Sequence, residues 1–386
     1  MSFPTFYPDA RLPGTGTSVF TVMSALAQAH GAVNLSQGFP DFGCDPDLVR
    51  LVTEALASGH NQYAPMAGHP RLRRAVSQLT AERDGGTYDP DTMVTITVGA
   101  TEALASSLTA CLRPGDEVIL LEPAYDAYEP LVRLAGGTPV PVARTFPGYG
   151  IPWADVSAHI TNRTRAILLN NPHNPTGAVC TAEDLEALAA LIRDTRILVI
   201  SDEAYAHITF DGRPHISVSA HPELAARAFV IGSFGKMLHV TGWKVGYCLA
   251  PAPMTDVFRQ VHQFTVFATA TPFQVGIAAY LETYPERVRG LGSFFQAKRD
   301  YFLTLMQGTG FEPLACEGAY FQLMRYRQRS DLGDVDFARH LTMTAGVACI
   351  PVSVFYQTSV DHGVVRFCFA KEDPTLEEAA RRLRLS

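Results

Sequence analysis

Short apolar segments alternate with amphipathic segments along most of the chain. The pattern predicts strands at 92–98 (TMVTITV), 116–122 (DEVILLE), 138–143, 165–170, 196–201, 228–233 and 245–250, with helices at 100–112 and 183–195. Strands that are almost continuously apolar are typical of a sheet covered by helices on both faces. We therefore expect an α/β fold with a mostly parallel central sheet.

The pattern changes character near residue 284. A long helix is predicted at 285–309, followed by short strands and a final helix at 375–384. Because single cores stop growing beyond about 250–300 residues, a chain of this length is expected to divide. We predict a large domain at 45–283, a small α+β domain at 284–386, and an irregular arm at 1–44 that joins the small domain.

Composition and charge exclude several classes of protein. With 38 acidic and 31 basic residues the net charge is −7, and no basic stripe offers a surface for nucleic acid. No segment approaches the roughly 20 apolar residues that span a membrane, and the start of the chain lacks a leader pattern, so a cytoplasmic protein is expected. The seven cysteines are scattered without a CxxC pair, which argues against a disulfide framework or zinc site.

Polar residues follow several of the predicted strands. Open α/β sheets bind ligands at the carboxyl ends of their strands, so these side chains are candidates for one site. The start of a helix at Gly99 offers free backbone N–H groups that suit a phosphate. The candidates are Ala100, Thr101, Tyr125, Tyr128, Asn171, Asn174, Asp202, Tyr205, Ser233, Lys236 and Lys244.

The segment SFGKMLHVTGWKVGY at 233–247 holds two lysines, Lys236 and Lys244, and no acidic residue. Each candidate alone is explained as well by a helix cap, a turn or a solvated surface lysine. Together they fit pyridoxal phosphate, whose aldehyde takes an amine, whose ring nitrogen takes a carboxylate, and whose phosphate takes a cation. A Rossmann enzyme fits poorly, because the only early GxG, at 14–16, precedes every predicted strand.

Longer motifs connect the chain to a family. They are NLSQGFPDF (34–42), NQYAPMAGHPRLR (61–73), EPAYDAYEP (122–130), NNPHNPTG (170–177), ISDEAY (200–205), SFGK (233–236), TGWKVGY (241–247), IPVSVFY (350–356) and VVRFCFAKEDPTL (364–376). In these the chain resembles the fold-type I, class I aminotransferases that depend on pyridoxal 5'-phosphate. The resembling branch contains kynurenine aminotransferase (glutamine transaminase K) and bacterial methionine aminotransferase.

The resemblance implies a role for each matched residue. Lys236 forms the Schiff base with the cofactor, Asp202 faces the ring nitrogen, and Tyr205 with Asn174 holds the ring hydroxyl. Lys236, Asp202 and Tyr205 are thus the expected catalytic residues. The remaining cofactor ligands implied are Tyr125 on the ring face, and Ala100, Thr101, Ser233, Lys244 and a second subunit's Tyr63 at the phosphate. Because Tyr63 would come from a second subunit, the resemblance also implies a homodimer with shared active sites.

The same resemblance places the substrate. Arg366 falls where the family binds the α-carboxylate, with Gly38 and Asn174 beside it. The substrate-side positions Phe20, Phe267 and Phe355 are aromatic, which favours methionine, glutamine, phenylalanine or kynurenine as amino donor, although Phe20 and Phe355 could equally be core. Ala268 stands where kynurenine enzymes carry histidine, and this favours methionine.

Two other functions remain open at this point. A C–S β-lyase on the same fold would share nearly every cofactor-binding residue but release ammonia and pyruvate from cysteine conjugates. A non-catalytic regulator that senses pyridoxal phosphate would not need Arg366, and no DNA-binding segment is attached. We therefore predict an aminotransferase that moves the α-amino group of methionine or an aromatic amino acid to a 2-oxo acid.

Overall fold

The computed structural model describes residues 10–385, so the expectations for residues 1–9 and 386 lie outside it. The helices are α1 Val19–Ala29, α2 Pro46–Ala57, α3 Pro70–Asp84, α4 Gly99–Cys111, α5 Tyr128–Leu134, α6 Trp153–Ala158, α7 Ala182–Ile192, α8 Pro222–Ala225, α9 Phe234–Met237, α10 Ala252–Thr265, α11 Thr271–Thr283, α12 Pro285–Arg289, α13 Leu291–Met306, α14 Asp334–Thr344 and α15 Asp373–Leu385. The strands are β1 Val33–Asn34, β2 Val94–Thr97, β3 Glu117–Glu122, β4 Thr138–Ala143, β5 Thr164–Asn170, β6 Leu198–Asp202, β7 Ala228–Ser233, β8 Gly246–Leu249, β9 Glu312–Pro313, β10 Phe321–Arg325, β11 Val347–Ala348, β12 Ile350–Pro351 and β13 Val364–Cys368.

Seven strands form the central sheet in the order β2-β8-β7-β6-β5-β3-β4. Neighbouring strands are parallel except at β8, which runs antiparallel to both β2 and β7. The expected α/β fold with a mostly parallel sheet is therefore confirmed. The register pairs Asn170 with Asp202 and Asp202 with Ile231, so β5, β6 and β7 end side by side.

The sheet is buried on both faces, as its apolar strands predicted. In β5, Ile167 and Leu169 pack into one core while Leu168 between them packs into the other. Successive side chains of a strand point to opposite faces, so one strand serves both cores. The predicted strands at 138–143 and 228–233 coincide with β4 and β7, and the other strands of this sheet begin and end within two residues of the predicted positions.

Two smaller sheets lie toward the end of the chain. One has four antiparallel strands in the order β12-β13-β10-β9, and the other pairs β1 in parallel with β11. The arm before residue 45 thus contributes a strand that pairs with residues 347 and 348. The division of the chain into parts at 45 and 284 stays a prediction.

Two local predictions differ from the structure. The single helix expected at 285–309 is two helices, α12 and α13, separated at Gly290. Glycine weakens helices, and a second glycine, Gly292, lies so close to the Thr209 carbonyl oxygen that an added Cβ would be 2.9 Å from it. The arm that was expected to be irregular contains α1, which buries Met23 and Ala27 on one face. Within residues 10–385, no helix has the length and apolar character needed to cross a membrane.

Candidate active site

A cavity of about 260 Å³ opens where the strands of the central sheet end. Twelve of the fifteen residues to which the resemblance assigns a role line it: Phe20, Gly38, Ala100, Thr101, Tyr125, Asn174, Asp202, Tyr205, Ser233, Lys236, Lys244 and Arg366. The other three, Tyr63, Phe267 and Phe355, do not line it. The cavity therefore joins residues from the central sheet with Arg366 from β13.

One corner of the cavity is suited to a phosphate. Ala100 and Thr101 lie in the first turn of α4, where backbone N–H groups have no partner within the helix. Ser233 ends β7, and the Lys244 side chain passes so close to Gly99 that an added Cβ would be 3.4 Å from its Nζ. Among the described residues, no ion pair joins Lys244 to a carboxylate. An anion placed here would meet a helix N-terminus and an unpaired cation.

Lys236 lies deeper in the cavity, on the short helix α9. Its Nζ donates to the Gly38 carbonyl oxygen at 3.0 Å, and the same oxygen accepts from the Tyr320 hydroxyl at 2.7 Å. The rings of Tyr205 and Tyr320 lie 5.8 and 5.7 Å from Nζ. Burial lowers the pKa of Lys236 to about 8, so the amine loses its proton more readily than an ordinary lysine does. A neutral amine is the nucleophilic and basic form of lysine.

Asp202 is the last residue of β6 and is buried. Its Oδ2 accepts from the Tyr128 hydroxyl at 2.7 Å, and its Oδ1 accepts from the Ala204 N–H at 3.1 Å. Burial raises the pKa of Asp202, while these two hydrogen bonds oppose that rise. The carboxylate is thus a buried hydrogen-bond acceptor at the floor of the cavity.

The NPHNPTG turn is held by the strand that precedes it. Asn170 donates from its amide to the Asp202 carbonyl oxygen at 2.8 Å and accepts from the Asn174 N–H at 2.7 Å. These bonds hold Asn174 at the cavity, which Tyr205 also lines. Burial raises the pKa of Tyr205 well above the usual tyrosine value, so its hydroxyl remains a hydrogen-bond donor.

Arg366 is fully buried in the middle of β13. Its Nη1 donates to Asn174 Oδ1 at 2.7 Å and its Nη2 donates to the Ser36 carbonyl oxygen at 3.0 Å, but its Nε has no partner. No carboxylate among the described residues lies within ion-pair distance of it. Burial lowers the pKa of Arg366, which shows how unfavourable this environment is for an uncompensated charge. A buried cation without a counter-ion indicates that an anionic ligand binds beside it.

Aromatic rings surround the Arg366 guanidinium. Its carbon lies 4.0 Å from the ring centre of Phe321, 5.0 Å from Phe20 and 5.7 Å from Phe355. Phe355 is buried behind Phe20, with 5.9 Å between their ring centres, so it supports the cavity wall without lining it. Tyr125 lies across from Phe20, and burial raises its pKa to about 12.

Tyr63 and Phe267 lie away from this cavity. Their rings meet edge to face at 5.2 Å, and their exposed fractions are 84% and 45%. The resemblance assigns both to the neighbouring subunit's site, and that assignment stays a prediction.

Eleven further residues line the cavity, and the resemblance gave none of them a role; they include Tyr128, Phe321 and Gln37. Tyr128 stood in the quoted loop motif but was given no function, although it begins α5 and bonds to Asp202. Phe321 belongs to β10, whose sequence FQLMR carries no ligand motif. Only its pairing with β13 brings it next to Arg366.

The residues fit pyridoxal phosphate on four structural observations. They are an amine of lowered pKa, a buried carboxylate, a helix N-terminus with a cation beside it, and the unpartnered Nε of Arg366. Each matches one functional group of the cofactor or the carboxylate of its amino acid substrate. No cluster of three metal-ligating side chains occurs in the part of the chain that the structure describes.

Comparison with known proteins identifies the family. Residues 31–383 match the model of aminotransferase class I and II. The chain is 46% identical over 377 residues to methionine aminotransferase of Escherichia coli K12, covering 98% of each, and 35% identical over 410 residues to human kynurenine–oxoglutarate transaminase 1, covering 97% of each. A crystal structure of Escherichia coli YbdL, described as having a methionine aminotransferase function, superimposes with a TM-score of 0.96 over 98% of this chain and 100% of that one, at 46% identity. The predicted resemblance is confirmed, and the chain belongs to the class I and II aminotransferases, the pyridoxal phosphate-dependent transaminases.

Proposed function

We propose that this transaminase takes methionine and other large uncharged amino acids, such as phenylalanine, glutamine or kynurenine, as amino donors and a 2-oxo acid as acceptor. The observation that carries the proposal is the buried guanidinium of Arg366, which has an unpartnered Nε and three phenylalanine rings around it. A group of this kind suits an α-carboxylate attached to a large uncharged side chain. The substrates named for the Escherichia coli and human relatives, methionine and kynurenine, have this form.

Pyridoxal phosphate, when bound, supplies an aldehyde carbon that takes up the amino group and a conjugated ring that accepts electrons. Lys236 would bind the aldehyde and Asp202 the ring nitrogen. Asn174 and Tyr205 would hold the ring hydroxyl, and Tyr125 would cover one face of the ring. The residues that would hold the phosphate are Ala100, Thr101, Ser233 and Lys244.

Lys236 is placed to move the proton of the reaction. Its Nζ has a pKa lowered to about 8, so the neutral amine is available to take a proton from the α-carbon of the amino donor. The hydrogen bond from Nζ to the Gly38 carbonyl oxygen, 3.0 Å long, fixes the direction of the amine within the cavity. The amine can give up the same proton later, acting first as a base and then as an acid.

Arg366 would orient the amino acid through its carboxylate. A planar guanidinium can make two parallel hydrogen bonds to a carboxylate, and the bonds to Asn174 and Ser36 keep this guanidinium from turning. Holding the carboxylate in this way determines which bond of the α-carbon faces Lys236. Loss of the α-proton is then favoured over loss of the carboxyl group.

The cavity discriminates against acidic side chains. Its lining cations are Lys236, Lys244 and Arg366, and each has a role toward the cofactor or the α-carboxylate. A second carboxylate, as in aspartate, would therefore lie against Phe20, Tyr125 and Phe321 without a partner. An unpaired charge against apolar walls is costly, whereas a thioether or a ring is favoured there.

Assembly and location also belong to the proposal. Tyr63 and Phe267 contact each other and expose 84% and 45% of their surface, and a contiguous exposed apolar patch is typical of an interaction site. We infer a homodimer in which Tyr63 reaches the partner's phosphate site. All seven cysteines are free, which suits a reducing compartment such as the cytoplasm.

The test is a half-reaction without acceptor. Protein loaded with pyridoxal phosphate is mixed with methionine, phenylalanine, glutamine, kynurenine or aspartate, and the yellow absorbance is followed. Methionine is expected to bleach the colour fastest and aspartate slowest, and a 2-oxo acid should restore it. Pyruvate release from cysteine conjugates without bleaching would instead favour the β-lyase.

A second experiment tests the role of Lys236. Borohydride should fix the cofactor covalently to the wild-type protein but not to Lys236→Ala. Lys298→Ala is the matched control, because Lys298 lies outside the cavity and pairs with Asp373 at 2.8 Å. Fixation that persists in Lys236→Ala would refute the assignment.

A further inference from the structure

Asp202 has a partner that the motifs do not assign. The hydroxyl of Tyr128, the first residue of α5, donates to Asp202 Oδ2 at 2.7 Å. Both side chains are buried, with exposed fractions of 3% and 5%. Tyr128 also lines the cavity, and its ring meets the ring of Tyr125 nearly edge to face at 5.5 Å. The contact joins the tyrosine loop to the floor of the site.

The surroundings of Asp202 leave the carboxylate dependent on this bond. Its backbone is fixed, because its carbonyl oxygen accepts from the Asn170 amide and the Asn171 N–H. Its carboxylate has one other donor, the Ala204 N–H, and no ion pair within 4 Å among the described residues. Tyr128 is therefore the one side chain in the described structure that donates a hydrogen bond to it.

The charged groups around Asp202 act in opposite directions. Lys236 on α9 favours the carboxylate anion, whereas Glu203, the next residue along the chain, disfavours it. Glu203 is itself held by His215 and Arg83, which take up much of its charge. Burial is the largest influence and favours the neutral acid. A hydrogen bond to the anion opposes this influence directly.

We propose that Tyr128 is a positioning residue that keeps Asp202 ionised and aimed at the cofactor's ring nitrogen, an inference that rests on the proposed role of Asp202. The ring nitrogen and the carboxylate compete for one proton. A carboxylate that accepts a hydrogen bond from a phenol is a weaker base, so the proton stays on nitrogen. A protonated ring nitrogen is what makes the cofactor an effective acceptor of electrons.

Tyrosine suits this task for two reasons. Burial raises the pKa of Tyr128 well above its usual range, so the hydroxyl stays protonated and donates at neutral pH. The ring is rigid, and its contact with Tyr125 limits its rotation. The donor is thus preorganised at the oxygen it serves.

In the experiment, the protein is saturated with pyridoxal phosphate that carries ¹⁵N in its ring. The chemical shift of the ring nitrogen is then measured. Tyr128→Phe is expected to move the signal from the protonated toward the unprotonated position. It should also lower kcat/KM for methionine by about 10- to 100-fold, which is the size of effect found when a residue that orients a metal ligand is replaced. Tyr326→Phe is the control, since the buried Tyr326 loses a hydrogen bond of 2.8 Å to the Leu332 carbonyl oxygen outside the cavity.

Asp202→Asn separates the possible outcomes. If its ring-nitrogen signal equals that of the wild type, the proposed role of Asp202 fails. If Asp202→Asn moves the signal and Tyr128→Phe does not, the inference about Tyr128 alone is refuted. Tyr128→Phe should have no further effect in the Asp202→Asn background. Should the Phe variant fold poorly, Tyr128→His, which keeps a ring and an N–H donor, should retain the protonated signal, and an unprotonated signal in it would overturn the inference.

Discussion

Glu203 accepts hydrogen bonds from five groups of the protein. It is buried, and its donors are the His215 ring at 2.9 Å, the Ser201 and Ser217 hydroxyls at 2.9 Å each, the Val218 N–H at 3.3 Å and Arg83 at 3.4 Å. Although burial disfavours the anion, His215, Arg83 and Ser217 together hold the pKa of Glu203 below its usual value. We predict that Glu203→Gln, which keeps the shape and removes the charge, destabilises the protein strongly.

The size of the effect follows from these contacts. Removing one partner of a buried charged network costs about 3–5 kcal/mol, and the lower end applies because glutamine retains one oxygen for the serines. Unfolding entropy is about 2.1 cal/mol/K per residue, so 386 residues give about 0.8 kcal/mol/K. A loss of about 3 kcal/mol therefore lowers Tm by about 4 °C.

The assay is calorimetric unfolding at fixed protein and cofactor concentration. Glu54→Gln is the matched control, because Glu54 pairs with Arg50 at 2.8 Å but its side chain is 58% exposed. Exposed pairs contribute at most about 1 kcal/mol, so this Tm should fall by about 1 °C or less. Equal changes in the two variants would refute the reasoning.

The contribution of the Glu203 charge to stability depends on pH. The pKa of Glu203 is lowered by folding, so its stabilisation is complete above the unfolded value of about 4.3 and is lost as the pH falls through the lower folded value. The Tm difference between wild type and Glu203→Gln should therefore be constant near neutral pH. It should shrink below about pH 4, because protonation of Glu203 then removes from the wild type the same negative charge that the substitution removes.

Two other predictions test the site and the core. Arg366→Lys should raise KM for methionine by about 10- to 100-fold and leave cofactor affinity unchanged, because lysine cannot make two parallel bonds to the carboxylate; steady-state kinetics with an unchanged KM would contradict it. Gly276→Ala should cost about 1–3 kcal/mol in urea unfolding, because an added Cβ would lie 2.9 Å from backbone atoms of Val52 where α11 packs on α2. Gly290→Ala, whose added Cβ meets no atom closer than 3.4 Å, is its control, and similar losses in both would refute the packing argument.

The central sheet was predictable because its signals are local. A buried strand must be apolar along its length, so runs such as 138–143 are visible without any knowledge of their neighbours. The break between α12 and α13 was not visible in the same way. The break lies at Gly290, and in the first turn of α13 Gly292 approaches the Thr209 carbonyl, a contact between segments far apart in the sequence.

The same distinction between local signals and long-range contacts applies to the residues of the site. Residues at the end of a strand, such as Asp202 and Ser233, are placed by the strand, and their positions could be predicted from the chain alone. Tyr128 bonds to a residue 74 positions away, and no local pattern indicates that contact. Phe321 reaches Arg366 through antiparallel pairing, in which Leu323 lies opposite Arg366 and Phe321 is its diagonal neighbour. Such register cannot be read from either strand separately.

The bond between Arg366 and the Ser36 carbonyl spans 330 positions, and β8 completes the central sheet between two strands that precede it. The cavity therefore cannot form on the ribosome until β13 has emerged, close to the end of synthesis. Long-range contacts of this kind are formed late, after the entropy of closing large loops has been overcome. Only a chain that extends through β13 can therefore bind the amino acid carboxylate. A nascent or truncated polypeptide ending before residue 364 would lack that function even though it contains Lys236.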